Sequence, residues 1–276
     1  MGQNQILGFS VWGPTTAGAP GLPLSWARLS PHAQRSTLQG FNVNLVTTDR
    51  VSALHEACLG GHVACAKLLL ENGAHVNAVT IDGITPLFNA CCSGSVACVN
   101  MLLEFGAKPQ VGNHLASPIH EAVKRGNIQS CMEVLLAHGV DIDQEDLHYG
   151  TLLYVACMYQ RTDCVKKLLE LGANVSAGKR LDTPLHAAAR KSSAEIVVLL
   201  VDYGANLKCR NAEFKCALDL AIPNSKVEQA LLLREGPASL AQLCRLCIRK
   251  HLGRSCLYAV HKLHLPEPLE NFLLHR

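Results

Sequence analysis

Three groupings in this 276-residue chain have the residue types for chemistry. His55-Glu56 followed by His62 sets two imidazoles beside a carboxylate, the donor set of a zinc peptidase. That chemistry needs His-Glu-x-x-His, so that both imidazoles share one helix face. Here the gap is longer and contains Gly60-Gly61, which breaks the face. Cys244-x-x-Cys247 offers two thiolates, but no second pair stands at zinc spacing and the pair falls on a predicted helix. The third grouping is the thirteen cysteines as a set, enough for a disulfide framework. Their placement argues against one: Cys65, Cys98, Cys131 and Cys164 recur every 33 residues, as do Cys58 and Cys91. Thiols locked to a period fill one kind of buried helix position, and keeping them reduced implies a cytosolic or nuclear setting. His55, His120 and His186 also sit at one repeated position, where bonds to neighbouring backbone account for them. No Walker loop, nucleophile elbow or dinucleotide fingerprint is present. The chain is therefore read as having no catalytic residue, metal site or cofactor.

The elements behind these positions follow from the period. Six segments align: Ser52-Ala-Leu-His-Glu-Ala57, Thr85-Pro-Leu-Phe-Asn-Ala90, Ser117-Pro-Ile-His-Glu-Ala122, Thr151-Leu-Leu-Tyr-Val-Ala156, Thr183-Pro-Leu-His-Ala-Ala188 and Cys216-Ala-Leu-Asp-Leu-Ala221. Their starts step by 33, 32, 34, 32 and 33 residues, and Gly40, Gly73, Gly106, Gly139, Gly172 and Gly204 keep nearly the same step. Thr or Ser caps a helix and Pro suits its first turn. A glycine such as Gly61 or Gly94 breaks that short helix. A second helix runs through Val63, Cys65, Ala66, Leu68, Leu69 and Leu70, with too much apolar surface for one stripe, so neighbours must cover it on two sides. Gly73 ends it in a left-handed cap. Ala74 to Gly83 then forms an extended finger with an Asp82-Gly83 turn.

A 33-residue unit of turn plus two helices with Thr-Pro-Leu-His-x-Ala resembles the ankyrin repeat. The expected fold is all-α, an ankyrin-repeat solenoid with β-turn fingers followed by a small three-helix module. Residues 38–235 are read as the repeats, with six units starting near 50, 83, 115, 149, 181 and 214 and a remnant before 50. Residues 1–37 hold no acid and many Gly and Pro, so they are read as a disordered or irregular leader, not a full repeat. The first full repeat is then expected to lack a cap and to fray first.

After Gly236-Pro237 the period stops. Ser239 with Gln242 makes a capping-box start for a helix from Leu240 to about Leu252. Leu240, Leu243, Cys244, Cys247 and Ile248 share one face, with Arg245 and Arg249 opposite. A second apolar stretch covers Leu257 to Leu265, and Leu265-Pro-Glu-Pro-Leu269 opens a last helix. Ser-Leu-x-x-Leu-Cys-x-x-x-Ile followed by Leu-Pro-x-Pro-Leu-x-x-Phe-Leu resembles a SOCS box, placed here at 236–276. Together the two parts are similar to the ankyrin repeat and SOCS box family.

That resemblance implies a function. The first box helix would bind elongin C, and with it elongin B, through Leu240, Leu243, Cys244 and Ile248. Leu265, Pro266, Pro268 and Leu269 would face cullin-5 and its RING protein. The family usually has an apolar residue between the two prolines, where this chain departs from the pattern with Glu267. The implied role is a substrate-recognition subunit of a ubiquitin ligase, not an enzyme; the alternative is a non-catalytic ankyrin scaffold in signalling or transcription. An unidentified target protein would lie across the fingers and first helices, with Arg50, Asp82, His114, His148, Tyr149 and Arg180 as contact candidates. A net charge of +3 implies no large nucleic-acid or membrane field. From Arg234 onward seven Lys or Arg face three acids, but with few aromatics this reads as a solvated or partner-facing helix back, with no nucleic acid. No apolar run reaches the roughly 18 residues of a membrane span, and the start lacks a secretory signal. A cytoplasmic, non-secreted protein is expected.

Overall fold

The structure is a computed structural model that describes residues 42–110, 116–126, 128–234, 236, 239–252 and 260–274. The expected leader at 1–37 lies outside the described residues. Six helical hairpins follow one another: α1 (Ala53–Leu59) with α2 (Val63–Glu71), α3 (Pro86–Ser93) with α4 (Val96–Glu104), α5 (Pro118–Arg125) with α6 (Ile128–Ala137), α7 (Leu152–Met158) with α8 (Thr162–Glu170), α9 (Pro184–Arg190) with α10 (Ala194–Asp202), and α11 (Ala217–Leu220) with α12 (Lys226–Leu232). Each first helix packs on the first helix of the next repeat, and each second helix on the next second helix. The result is two helical layers in which a unit touches only its neighbours, the definition of a solenoid.

The residue types explain each element. Thr85 and Thr151 hold extended backbone and accept the N–H of Phe88 and Tyr154, capping α3 and α7. Pro86, Pro118 and Pro184 occupy first turns, where a missing N–H costs little. Gly73, Gly106 and Gly139 end second helices at φ of 86°, 85° and 84°. An added Cβ would meet nothing within 4 Å there, so the glycines serve backbone conformation rather than space. The core fills with Leu69, Leu102, Leu135, Leu168 and Leu200 along the second helices, all fully buried. Cys65, Cys98, Cys131 and Cys164 share that layer, and Cys58, Cys91 and Cys157 lie between first helices. Burial pushes the Cys164 thiol up to about 12, so at neutral pH it is a packed, protonated group.

The repeated histidine stitches the units together. The Ser52 backbone N–H donates to Nδ1 of His55, which fixes the proton on Nε2, and Nε2–H donates to the Ile84 carbonyl of the next finger at 3.2 Å. His186 repeats this, taking the Thr183 N–H and donating to the carbonyls of Cys209 and Lys215. His120 donates to the Gly150 carbonyl at 2.9 Å. Where the fourth repeat has Tyr154 instead, its hydroxyl donates to Asp182, which also accepts from Arg190 at 2.8 Å and Asn211 at 3.2 Å. Burial raises the Asp182 carboxyl, but these donors hold it below the usual carboxylate range. Adjacent fingers are tied as well. Asn44 Nδ2 donates to the Gly73 carbonyl while its Oδ1 accepts the His75 N–H, and Asn77 does the same with Gly106 and Lys108 one repeat later. Among the described residues β pairing is confined to isolated bridges in the fingers, such as Val46 with Ser52.

Beyond the repeats lie α13 (Leu240–Leu252), a helical turn at 260–262 and α14 (Glu267–Leu274). Val260, Leu273 and Leu274 form a separate small core with Leu252, Leu265 and Phe272 around it. Three apolar side chains cannot hold such a module alone, so its attachment to the repeats decides its orientation.

Candidate functional site

Two surfaces qualify: the outer face of α13 with the start of α14, and the finger tips. The orientation of α13 is set by its basic side. Arg249 reaches inward, donating to the Leu169 carbonyl at the end of α8 and to the Leu273 carbonyl, both at 3.0 Å, with its guanidinium 4.8 Å from the Tyr203 ring centroid. Gln242 donates to the Val201 carbonyl near the end of α10 at 3.2 Å. Helix C-terminal carbonyls lack intrahelical partners and carry the negative end of the helix dipole, so they suit a cation. Arg245 stacks on Phe272 at 4.1 Å, and Leu246 lies over Gly204. The sequence reads Arg245 and Arg249 as a solvated or partner-facing back; in the structure they are the inward side, Arg249 bonded to α8 and α14 and stacked on Tyr203, Arg245 stacked on Phe272.

The apolar face consequently points outward. Leu240 is 78% exposed, Leu243, Cys244 and Cys247 are exposed, and Ile248 is partly so. At the start of α14 Pro266, Pro268 and Leu269 are exposed, Leu269 to 52%. Leu265 differs: it packs partly against the small core of Val260, Leu273 and Leu274. Amphipathic helices normally bury such a stripe. Here polar contacts hold the helix down and leave the stripe uncovered.

At the finger tips the expected contact residues fall into two groups. Arg50 and Asp82 are exposed on adjacent fingers, joined where the Ile81 N–H donates to the Asp49 carbonyl at 3.1 Å. His148 and Arg180 are exposed on another adjacent pair, where Lys179 Nζ donates to the His148 carbonyl. Arg50 and Arg180 both sit in the left-handed region, at φ of 59° and 55°. Tyr149 is half-buried, its ring stacked on His120 with centroids 6.5 Å apart and Lys124 at 5.4 Å, so much of it serves packing. His114 lies outside the described residues.

Sequence reasoning missed two features. On α5, Glu121 is buried and bonded to Arg125 at 2.6 Å and Lys124 at 3.4 Å, with Lys124 between the Tyr149 and Tyr159 rings. Although burial pulls the Lys124 ammonium down, Glu121 and the two phenols hold it above its ordinary value. The finger tips also carry exposed large apolar residues: Ile81, Leu147, Leu181 and Phe214. The signal in the sequence is a bulky apolar residue inside each of these turns, where polar residues are the rule. Among the described residues no helix is long and apolar enough to cross a membrane.

These observations define a class: a helical-repeat solenoid carrying a small helical module whose apolar face is open. Comparison with known proteins agrees with both halves. An ankyrin-repeat model matches residues 30–113 and 112–179, a single ankyrin repeat matches 180–212, and the SOCS box matches 236–274. Over 170 residues the chain is 74% identical to ankyrin repeat and SOCS box protein 11 of Homo sapiens, covering 62% of this chain and 52% of that protein. It is 52% identical over 170 residues to ankyrin repeat and SOCS box protein 5 of Mus musculus, covering 61% and 51%. The crystal structure of the human ASB11 ankyrin repeat domain superposes with a TM-score of 0.75 at 69% identity, covering 79% of this chain and 100% of that one. The ankyrin repeat domain of Bcl-3 gives 0.65 at 25% identity, covering 78% and 100%. The chain belongs to the ankyrin repeat and SOCS box family, and it spans about half the length of the curated relatives it matches.

Proposed function

We propose that this chain is the substrate-recognition subunit of a cullin-5 RING ubiquitin ligase. It binds elongin B and elongin C through the SOCS box at 236–276 and a target protein through the repeats at 38–235. It breaks no bond itself; it raises the effective concentration of the target beside the ubiquitin-loaded enzyme. The observation that carries the reading is the outward apolar face of α13, with Leu240 78% exposed while Arg249 is bonded inward. Leu240, Leu243, Cys244 and Ile248 offer elongin C an apolar face, and Pro266, Pro268 and Leu269 offer the cullin a second exposed ridge. Leu265 supports that ridge from beneath, packed on the small core. The buried thiols fit a reducing, cytoplasmic setting.

Co-purification with elongins B and C tests this. The wild-type chain should bring both down, and the Leu240→Asp, Cys244→Asp double variant should lose them with an unchanged melting temperature, because neither side chain belongs to the core. Equal, background-level recovery by both would leave an ankyrin scaffold whose tail only closes the stack.

A further inference from the structure

We propose that the tips of the last three fingers form a recognition track for an extended acidic peptide segment of the target with an apolar residue at every third position. This rests on the target-binding role proposed above and names the chemistry of what is bound. Leu147 (65% exposed), Leu181 (62%) and Phe214 (78%) occupy the tips of consecutive fingers, in the turns at 146–150, 179–182 and 211–215. Large apolar side chains projecting singly need no explanation, but one on each of three successive repeats is a row.

The row is rigid. The Thr151 N–H donates to the Gly178 carbonyl at 3.1 Å, Lys179 Nζ donates to the His148 carbonyl, and Asn211 Nδ2 donates to Asp182 Oδ1 at 3.2 Å. Each turn is closed by its own bonds: Asp146 to Gly150, Lys179 to Asp182 and Asn211 to Lys215. Phe214 is held at φ of 59°, a conformation disfavoured for a bulky residue, which fixes the direction of its Cα–Cβ bond. A preordered platform loses little entropy on binding.

Spacing and charge select the occupant. Stacked helices lie about 8–10 Å apart, so successive tips advance by about that much. A polyproline II segment rises about 3.1 Å per residue and returns to the same face every three residues, so three of its residues match one repeat, whereas a β-strand turns every third side chain to its other face. The last two finger segments, 177–183 and 206–216, hold Lys179, Arg180, Lys208, Arg210 and Lys215 against Asp182 and Glu213. Both acids are already engaged, Asp182 by Arg190 at 2.8 Å and Glu213 by Lys215 at 2.9 Å. The basic excess surrounds Leu181 and Phe214, whereas Leu147 stands beside Glu145 and Asp146. Acidic residues of the bound segment therefore lie between and beyond the anchors seated at Leu181 and Phe214.

Selection of a random twelve-residue peptide library displayed on phage against the full chain, alone and with elongins B and C, tests the track. Enriched peptides should carry apolar residues three apart with Asp or Glu between them. A Leu147→Ser, Leu181→Ser, Phe214→Asn triple variant should bind a synthetic enriched peptide at least about tenfold more weakly. Arg180→Glu with Lys208→Glu should abolish the acidic preference. All of these positions are exposed, so melting temperature and elongin recovery should stay at wild-type values. The proposal is overturned by peptides without a three-residue period, by basic peptides, by no enrichment, or by equal binding to the triple variant. It is equally overturned if light scattering shows a dimer that the triple variant abolishes, since a second copy then covers the row. Loss of elongin recovery from the wild-type chain would strike the adaptor reading instead, separately from any peptide result.

Discussion

The repeats and the box helix α13 use the same amphipathic pattern in opposite senses. In α6 the apolar residues Cys131, Met132 and Leu135 are fully buried between neighbours, and Val134 and Leu136 pack partly against the same core. In α13 the apolar residues Leu240 and Leu243 face solvent, while Arg249 supplies the attachment through the carbonyl ends of neighbouring helices. The difference teaches that periodicity identifies a stripe without saying which way it turns. In the stack each apolar face has another repeat to meet, so burial decides orientation. In the box the Leu169 carbonyl at the negative end of the α8 dipole and the ring of Tyr203 offer a cation better partners than water does, and the stripe is left for something else.

The comparison breaks most sharply on a pair of leucines. Leu135→Ala empties a fully buried site and should cost about 2–5 kcal/mol through lost transfer and the cavity left behind. Leu243→Ala removes a chemically identical side chain that is mostly in water and should cost less than about 0.5 kcal/mol. Urea denaturation of the two variants measures both. A solenoid can unfold in parts, so hydrogen exchange over α6 and α13 should accompany it, with the Leu135→Ala loss spreading into α4 and α8. Comparable costs for the two leucines would mean that α13 buries its stripe in solution.

Arg249→Ala sharpens the same contrast from the other side. It leaves the Leu169 carbonyl without this donor and removes the contact over Tyr203, at a cost of about 1–3 kcal/mol confined to the box. Amide exchange across 240–252 should accelerate while the repeats keep their protection. Lysine in its place should rescue only partly, because one ammonium cannot serve the Leu169 and Leu273 carbonyls and the ring together.

The sequence carried the period, the helix boundaries near each Thr-Pro and the span of α13, because capping residues, glycine stops and spacing are local signals. It also carried the membership of Leu240, Leu243, Cys244 and Ile248 in one face. It did not carry the direction of that face, which depends on the carbonyl ends of α8 and α10, 80 and about 40 residues earlier in the chain. Nor did it show how the fourth repeat survives without its histidine. Tyr154 reaches Asp182, which Arg190 and Asn211 also hold, only once the following repeat and the next finger are stacked on it. The apolar finger tips escape a sequence reading for a related reason: Leu147 stands four residues before its helix cap whereas Leu181 and Phe214 stand two before theirs, so no common register marks the three.

The smallest effect separates the two regions by pH. His55 and His120 both lie below the ordinary histidine range because burial disfavours the imidazolium; for His120 this outweighs the upward pull of Asp146 and the Gly150 carbonyl. An unfolded chain takes up these protons at about pH 6.5, whereas the folded chain resists. Below that pH the unfolded state binds more protons, so the stabilisation is complete above about pH 6.5 and is lost as the pH falls toward the depressed folded values. Burial raises the Glu56 carboxyl above its ordinary value, so this group takes up its proton more readily in the folded chain and offsets part of the loss at the acid end of the range. Protonation would also set a second N–H on His55 against the Ser52 N–H that its Nδ1 accepts, which loosens the stitch between the first and second repeats. The urea midpoint of the repeats should be flat from pH 8 to 7 and decline from about pH 6.5 to 5, while the protection factors of the α13 amides, referred to the intrinsic exchange rate at each pH, stay constant because its attachment uses Arg249. A His55→Gln, His120→Gln variant should start lower at pH 7.5 and decline less steeply; an undiminished slope in that variant would place the acid sensitivity in other groups.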